Sequence, residues 1–155
     1  INRGWAIGQL NGLQNNLYYN HQITPPTKVE KNGPFPLNGH DKNTSKNFEN
    51  FIERSIDGLK VNNIGLYKLS FKASCTGLSS SQLSHIELRI KKGKQSDWET
   101  LSGTKTFGNT LIIAEGIFTV ESLDNPVLLK IFNISGEDRS FEFIDYTLIR
   151  IGNLN

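Results

Sequence analysis

Several residue types that carry chemistry are scarce in this 155-residue chain. It has no methionine and a single cysteine, Cys75, so no disulfide can close within one copy. The small core thiol is the plain reading of Cys75. There are three histidines, His21, His40 and His85. None stands in the His-x-x-x-His or Cys-x-x-Cys spacing that a zinc or iron site favours, so no metal and no cofactor is expected. No apolar run reaches the roughly 18 residues of a membrane helix, and membrane insertion is not expected. The formal charge is only +2, with the basic residues spread along the chain, which argues against nucleic acid as a partner. No glycine-rich phosphate loop is present, since "GKQSDW" lacks the glycine spacing. His40 beside Asp41 and Glu137 beside Asp138 read as solvated loop pairs. No local motif marks a nucleophile, and the chain is read as a non-enzyme. Beginning at Ile1 without a methionine, it is expected to be a processed form or a piece of something longer.

What is abundant is alternation. In "GLYKLSFKAS", Tyr67, Leu69, Phe71 and Ala73 fall on one side and Lys68, Ser70, Lys72 and Ser74 on the other, the period-2 signature of a half-buried strand. "HIELRI" sets Ile86, Leu88 and Ile90 against Glu87 and Arg89 and ends in the polar loop "KKGKQSD". "TLIIA", then Glu115 and Gly116, then "IFTVES" follow. "LDNP" is a turn, because Asp and Asn accept turn conformations and Pro126 fixes φ. "VLLKIFNI", the turn "SGEDR" and a closing "SFEFIDYTLIRI" complete the chain. Short strands with regular turn signals predict an all-β sandwich or barrel.

The first half is less regular. "TSKNFENFIERSI" places Phe48, Phe51, Ile52 and Ile56 at helical spacing, with Thr44 or Ser45 as cap. The overlapping "FIERSIDGLKV" reads equally as a β-hairpin arm turning at Asp57 and Gly58. Short edge strands are expected around 6–10, 17–23 and 29–37, since Pro25 and Pro26 forbid a central strand there.

Three segments, in order, resemble the tumour necrosis factor-like jelly rolls, the superfamily that includes complement-type globular heads and collagen-like proteins of bacterial surfaces and phages. "NIGLYKLSFKAS" is similar to that family's G-x-Y-x-F-x-F/Y-x-A/V strand. "EGIFTVESLDNPVLLKI" is similar to its penultimate hairpin, and "SFEFIDYTLIRIG" to its final strand. "GPFPLNG" matches a short early strand. The resemblance implies a jelly-roll β-sandwich of about ten antiparallel strands, with residues 29–155 as the head domain. Residues 1–28 are then an N-terminal segment of edge strands or a junction to an upstream stalk. It implies a core of Tyr67, Leu69, Phe71, Phe141 and Phe143, with Gly65 ending the turn before its strand. It also implies a homotrimer. Lys68, Ser70 and Lys72 stand where the family often has aromatics, so either these lysines lie off the three-fold axis, or they pair with acids, or the assembly differs.

"TLIIA", "VLLKIF" and "FEFIDYTLIRI" are apolar on both faces, and a single sandwich absorbs only one. Ile144, Tyr146 and Leu148 are therefore expected at a subunit interface. Trp98, after a polar loop, is the candidate ligand-binding aromatic; an inward-folded strand residue is the plainer alternative. Lys91, Lys92 and Lys94 form a small basic loop. "NTS" at Asn43 and "NIS" at Asn133 fit the glycosylation sequon. The combined expectation is a non-enzymatic trimeric head of a cell-surface or virion fibre, extracellular, binding a host-surface protein or glycan receptor. The alternative is a monomeric carbohydrate-binding module that uses exposed aromatics.

Overall fold

The computed structural model describes residues 17–23, 27–36, 52–55, 58–61, 63–94 and 97–153, the segments 17–23 and 52–55 by their backbone alone. Ten strands follow one another: β1 (Leu17–Ile23), β2 (Thr27–Val29), β3 (Ile52–Ser55), β4 (Gly58–Val61), β5 (Gly65–Thr76), β6 (Leu83–Lys92), β7 (Glu99–Phe107), β8 (Leu111–Val120), β9 (Val127–Asn133) and β10 (Arg139–Gly152). They form two five-stranded sheets. One has the order β1-β10-β5-β8, with β2 also on β10; the other has the order β3-β4-β9-β6-β7. All pairs are antiparallel, and from β4 onward the chain crosses between sheets at every step but β6 to β7, a jelly-roll sandwich.

The alternation of β5 and β6 becomes the core. Tyr67, Leu69, Phe71 and Ala73 of β5 are fully buried, as are Ile86 and Leu88 of β6, with Ile112, Leu129, Ile131 and Phe141 between them. Tyr67 stacks on Phe118 at 5.4 Å, and its hydroxyl donates to the Asn63 carbonyl at 2.6 Å. That bond lets a polar tip be buried without loss. β3 and β4 pair as the two arms of the hairpin, with Ile52 opposite Val61 and Ser55 opposite Gly58; Ile56 and Asp57 lie outside the described residues. The residues 44–51 of the helical alternative lie outside the described residues, as does the strand expected at 6–10.

Two sequence expectations change here. Ile144, Tyr146 and Leu148 are no interface: at 0%, 1% and 0% exposure they belong to the core of the single chain. Phe143, expected in the core, is only half-buried and points the other way. One cause explains both. Phe141 pairs with Cys75 but Phe143 pairs with the adjacent Ser74, so β10 carries a bulge at Glu142 that shifts its parity by one residue. Gly65 holds the positive φ expected of it, at 158°, and a Cβ there would also lie 2.5 Å from Arg150 Nε.

Glu115 and Gly116 do not break β8, which runs unbroken from Leu111 to Val120. A Cβ on Gly116 would fall 2.5 Å from Leu101 Cδ2, so this glycine makes room for the side chain that β7 lays across the sandwich edge. Thr104 of β7 donates to the Ile113 carbonyl of β8 at 2.9 Å and ties the same edge. At the opposite edge the chain crosses from β2 on β10 to residues 32–35 on β9. There Asn32 and Phe35 donate to the Asn133 and Ile131 carbonyls. Phe35 is fully buried and touches Phe71 (4.9 Å, edge-on) and Phe141 (4.8 Å).

Asn133 anchors that crossing from a fully buried position. Its amide donates to the carbonyls of Val29 and Glu137, and its oxygen accepts from the Ser135 hydroxyl at 2.6 Å. An asparagine so committed is no glycosylation acceptor; Asn43 lies outside the described residues. Nearby, the Lys31 backbone N–H donates to Asp138 at 2.7 Å and Lys28 pairs with the same carboxylate at 3.4 Å. Both hold the Asp138 carboxyl below its ordinary value, the backbone bond most.

Phe71→Ala should cost about 3–5 kcal/mol in denaturant melts, the usual loss on emptying a large aromatic site. Lys72→Ala, on the outward face, should change stability by less than about 0.5 kcal/mol. Equal effects would show that the two faces of β5 are wrongly assigned. A folded-state pKa below the unfolded one stabilises above the ordinary value of about 3.9 and stops doing so as pH falls through the depressed value. Asp138→Asn should therefore lower the melting temperature slightly at neutral pH, where the ionised carboxyl contributes, leave it little changed below the depressed value, and so flatten the acid limb of the profile. An unchanged acid limb would mean the Lys28–Lys31 contacts carry no linkage.

Candidate functional site

The two outer faces of the sandwich differ in how far they are satisfied from within. On the sheet of β9, β6 and β7, pairing sets Glu87 opposite Phe132 and Arg89 opposite Lys130. Arg89 donates twice to the Glu87 carboxylate, at 2.6 and 3.2 Å, while its guanidinium lies 4.8 Å over the Phe132 ring. Thr100 of β7 adds a third bond to Glu87 at 3.1 Å. Burial works against the Glu87 charge, but these bonds outweigh it and hold the carboxyl below its ordinary value. His85 on the same face is held low by burial first and then by Lys105.

Trp98 belongs to this face and does not fold into the core. Its ring meets Phe132 edge-on at 6.1 Å, and the Lys130 ammonium stands over it at 5.1 Å. The indole is half-buried, with one aromatic and one cation already on it. The structure brings Trp98 together with Arg89, Lys130 and Phe132, a grouping that only the β6–β9 register produces.

The outer face of the other sheet is different. From β8 it carries Leu111, Ile113 and Ile117, exposed by 43%, 47% and 57%. From β10 it carries Phe143, Thr147 and Ile149, each half-buried. Between them runs the polar side of β5. Lys72 stands directly opposite Asp145 of β10, Ser70 stands opposite Glu115 of β8, and the Ser70 hydroxyl lies 3.4 Å from that carboxylate. Lys68 lies between Ile149 and Ile117. Two lysines and two carboxylates thus share a face flanked by aliphatics. The doubly apolar strands foreseen from the sequence are real in β8 and β10, but their outward sets are Leu111, Ile113 and Ile117, and Phe143 and Ile149.

Cys75 lies on the core side of β5, 3% exposed, with its sulfur 3.0 Å from the Ser84 hydroxyl. Burial pushes the thiol up, which disfavours a reactive thiolate. Arg139, 8% exposed, donates from Nε and Nη2 to the Leu83 carbonyl at 3.2 and 2.8 Å, and from Nη1 to Glu137. Among the described residues no three His, Cys, Asp or Glu side chains converge, and no helix is long and apolar enough to cross a membrane.

No family model matches the chain, and no curated protein is similar to it in sequence. Solved structures are similar in shape. The Eiger TNF of S. frugiperda superposes with a TM-score of 0.62 at 11% identity, over 90% of this chain and 96% of that one. Vertex protein P5 of PRD1 gives 0.57 at 13%, over 88% and 98%. The CBM22-1 xylan-binding domain of Paenibacillus barcinonensis Xyn10C gives 0.52 at 5%, over 90% and 97%. At such identities the likeness speaks for the fold alone, a jelly-roll sandwich of two antiparallel sheets.

Proposed function

We propose that this chain is the non-enzymatic head of a homotrimeric fibre on a cell surface or virion, displayed outside the cell and binding a host-surface protein or glycan. The observation that carries the reading is the outer face of β8, β5 and β10. Exposed aliphatics in a contiguous patch mark an interaction surface in a soluble protein. Here they flank two lysines and two carboxylates whose charges sum to zero, so copies of this face can approach without a net repulsion. Lys68 and Lys72 are the departure from the family pattern. Asp145 stands directly opposite Lys72, and Glu115 lies diagonal to Lys68 on the neighbouring strand. The similarity to a TNF and to a virion vertex protein supports a head that displays loops on a rigid sandwich.

The second reading, a monomeric carbohydrate-binding module, has Trp98 in its favour and the shape of a xylan-binding domain beside it. Stacking on a sugar needs an open ring face, and Lys130 stands over Trp98. That contact favours the first reading.

Sedimentation of the wild-type chain should give a mass near three times 17.4 kDa. Ile113→Glu and Ile117→Glu should each shift it to the monomer, because a carboxylate desolvated between copies has no partner. Lys105→Glu, on the opposite sheet, should leave the trimer intact. A wild-type monomer would end the trimer reading and promote the carbohydrate-binding module; a trimer that tolerates both glutamates would place the interface elsewhere.

A further inference from the structure

Among the described residues one asparagine is followed by glycine, Asn32 before Gly33. Asn32 is also the one described residue other than glycine with a left-handed backbone, at φ 59°. Asparagine tolerates that conformation where most side chains do not. The pair closes the turn of residues 30–33, and the backbone on both sides of it is committed. The Gly33 N–H donates to the Glu30 carbonyl at 2.9 Å. The Asn32 N–H donates to the Asn133 carbonyl at 2.9 Å, and the Asn133 N–H donates back to the Gly33 carbonyl at 3.0 Å. Just beyond, the Phe35 N–H donates to the Ile131 carbonyl at 2.7 Å and seats the buried Phe35 ring. Just before, Asp138 accepts from the Lys31 N–H. The Asn32 side chain, by contrast, is exposed, and none of the described residues bonds its amide.

A free asparagine amide beside a glycine nitrogen is a reactive pair, because glycine has no side chain to shield that nitrogen. The Gly33 nitrogen attacks Asn32 Cγ. A Cγ–N bond forms, the Cγ–Nδ2 bond breaks, and the proton of the attacking nitrogen leaves with the amide as ammonia, giving a cyclic succinimide. Water then opens the ring at either carbonyl. Opening at Cγ gives aspartate in an ordinary backbone. Opening at the backbone carbon gives isoaspartate, whose main chain runs through the side chain and is one methylene longer. The first step needs a glycine nitrogen free to give up its proton, and in the fold that N–H is held by the Glu30 carbonyl. We propose that Asn32 is a self-modification site gated by its own turn: it loses ammonia while the turn is open, and the isoaspartyl product does not re-form the crossing between the sheets. Residues 32 and 33 are joined to a single partner, Asn133, by one bond in each direction, and a longer main chain between them no longer fits both. The aspartyl product keeps the left-handed turn, since aspartate tolerates it as asparagine does. One branch of the reaction therefore spares the strap of residues 32–35, and the other releases it together with Phe35.

The test is a peptide map of the full chain after incubation in mildly alkaline buffer, once folded and once in urea. Loss of the Asn32 amide is read from the mass gain of its peptide, and the two products separate by chromatography. In urea Asn32 should react as fast as Asn11 and Asn38, each also followed by glycine. In the folded chain it should react about tenfold more slowly than in urea, because only the open fraction of the turn reacts. Asp138→Ala, an exposed change that frees the Lys31 N–H, should speed the folded reaction by about threefold. The isoaspartyl chain, once separated, should melt at a lower temperature than the wild type, whereas Asn32→Asp should melt like the wild type. Equal rates in the two states would overturn the gate, and an Asn32 that survives in urea would overturn the site. An Asp138→Ala rate equal to the wild type's would uncouple the turn from the reaction, and an isoaspartyl chain as stable as the wild type would show that the crossing does not depend on it.

Discussion

One extra residue in β10 decides which side of this strand is inside. Phe141 and Phe143 look equivalent in sequence, yet they pair with adjacent residues of β5, Cys75 and Ser74, so the strand changes parity at Glu142. Downstream of the bulge Ile144, Tyr146 and Leu148 fill the core and Asp145 faces out beside Lys72. Without it, Asp145 and Thr147 would enter the core, and a buried unpaired carboxylate costs several kcal/mol or more. The bulge also divides the other edge of β10. β2 pairs with Arg139, Ser140 and Phe141 before it, and β1 pairs with positions from Ile144 to Ile149 after it. Both edge strands and the core therefore depend on the same irregularity.

The crossing between sheets depends on polar groups that are buried and satisfied. Phe35 reaches Phe71 and Phe141 only because residues 32–35 lie along β9, and Asn133 holds them there through the carbonyls of Val29 and Glu137. Removing such a side chain strands several backbone acceptors at once, and each orphan costs about 1–3 kcal/mol. Arg139 does the same for the Leu83 carbonyl at the head of β6. These bonds give the sandwich one arrangement at its edges, where apolar packing alone would tolerate slippage.

Elements with one wet face are legible in the sequence. β5 and β6 announce themselves because Tyr67, Leu69 and Phe71, and Ile86 and Leu88, alternate with polar residues that stay outside. β7 is not legible as a strand: "ETLSGTKTF" is an edge strand whose only large inward packing is Leu101, so it shows no apolar period. The inner face of β10 is hidden because "FEF" alternates straight through the bulge, and a bulge leaves no trace in composition. Gly116 looks like punctuation, when its reason is a side chain from another strand. The basic loop at Lys92 and Lys94 and the "LDNP" turn are each visible, but nothing in the sequence says that they face each other. That follows from the pairing of β6 with β9 and of β5 with β8.

The two outer faces differ in what a partner could gain from them. On the sheet of β9 and β6, cations and rings are already matched: Arg89 with Glu87 and Phe132, Lys130 with Trp98. A face whose groups satisfy one another gains little from a partner, since binding must first break contacts that exist. On the sheet of β8 and β10, Ile113 and Ile117 stay half exposed, with none of the described residues covering them. Burying apolar area returns about 25 cal/mol per Å², and the neutral charge set around β5 removes the electrostatic objection. Self-association through this face, as proposed, would leave the Trp98 face and the turns at the sandwich ends as the surfaces open to other molecules. Under the proposed assembly the copies meet through β8, β5 and β10, so the turns at the sandwich ends can vary without disturbing that contact.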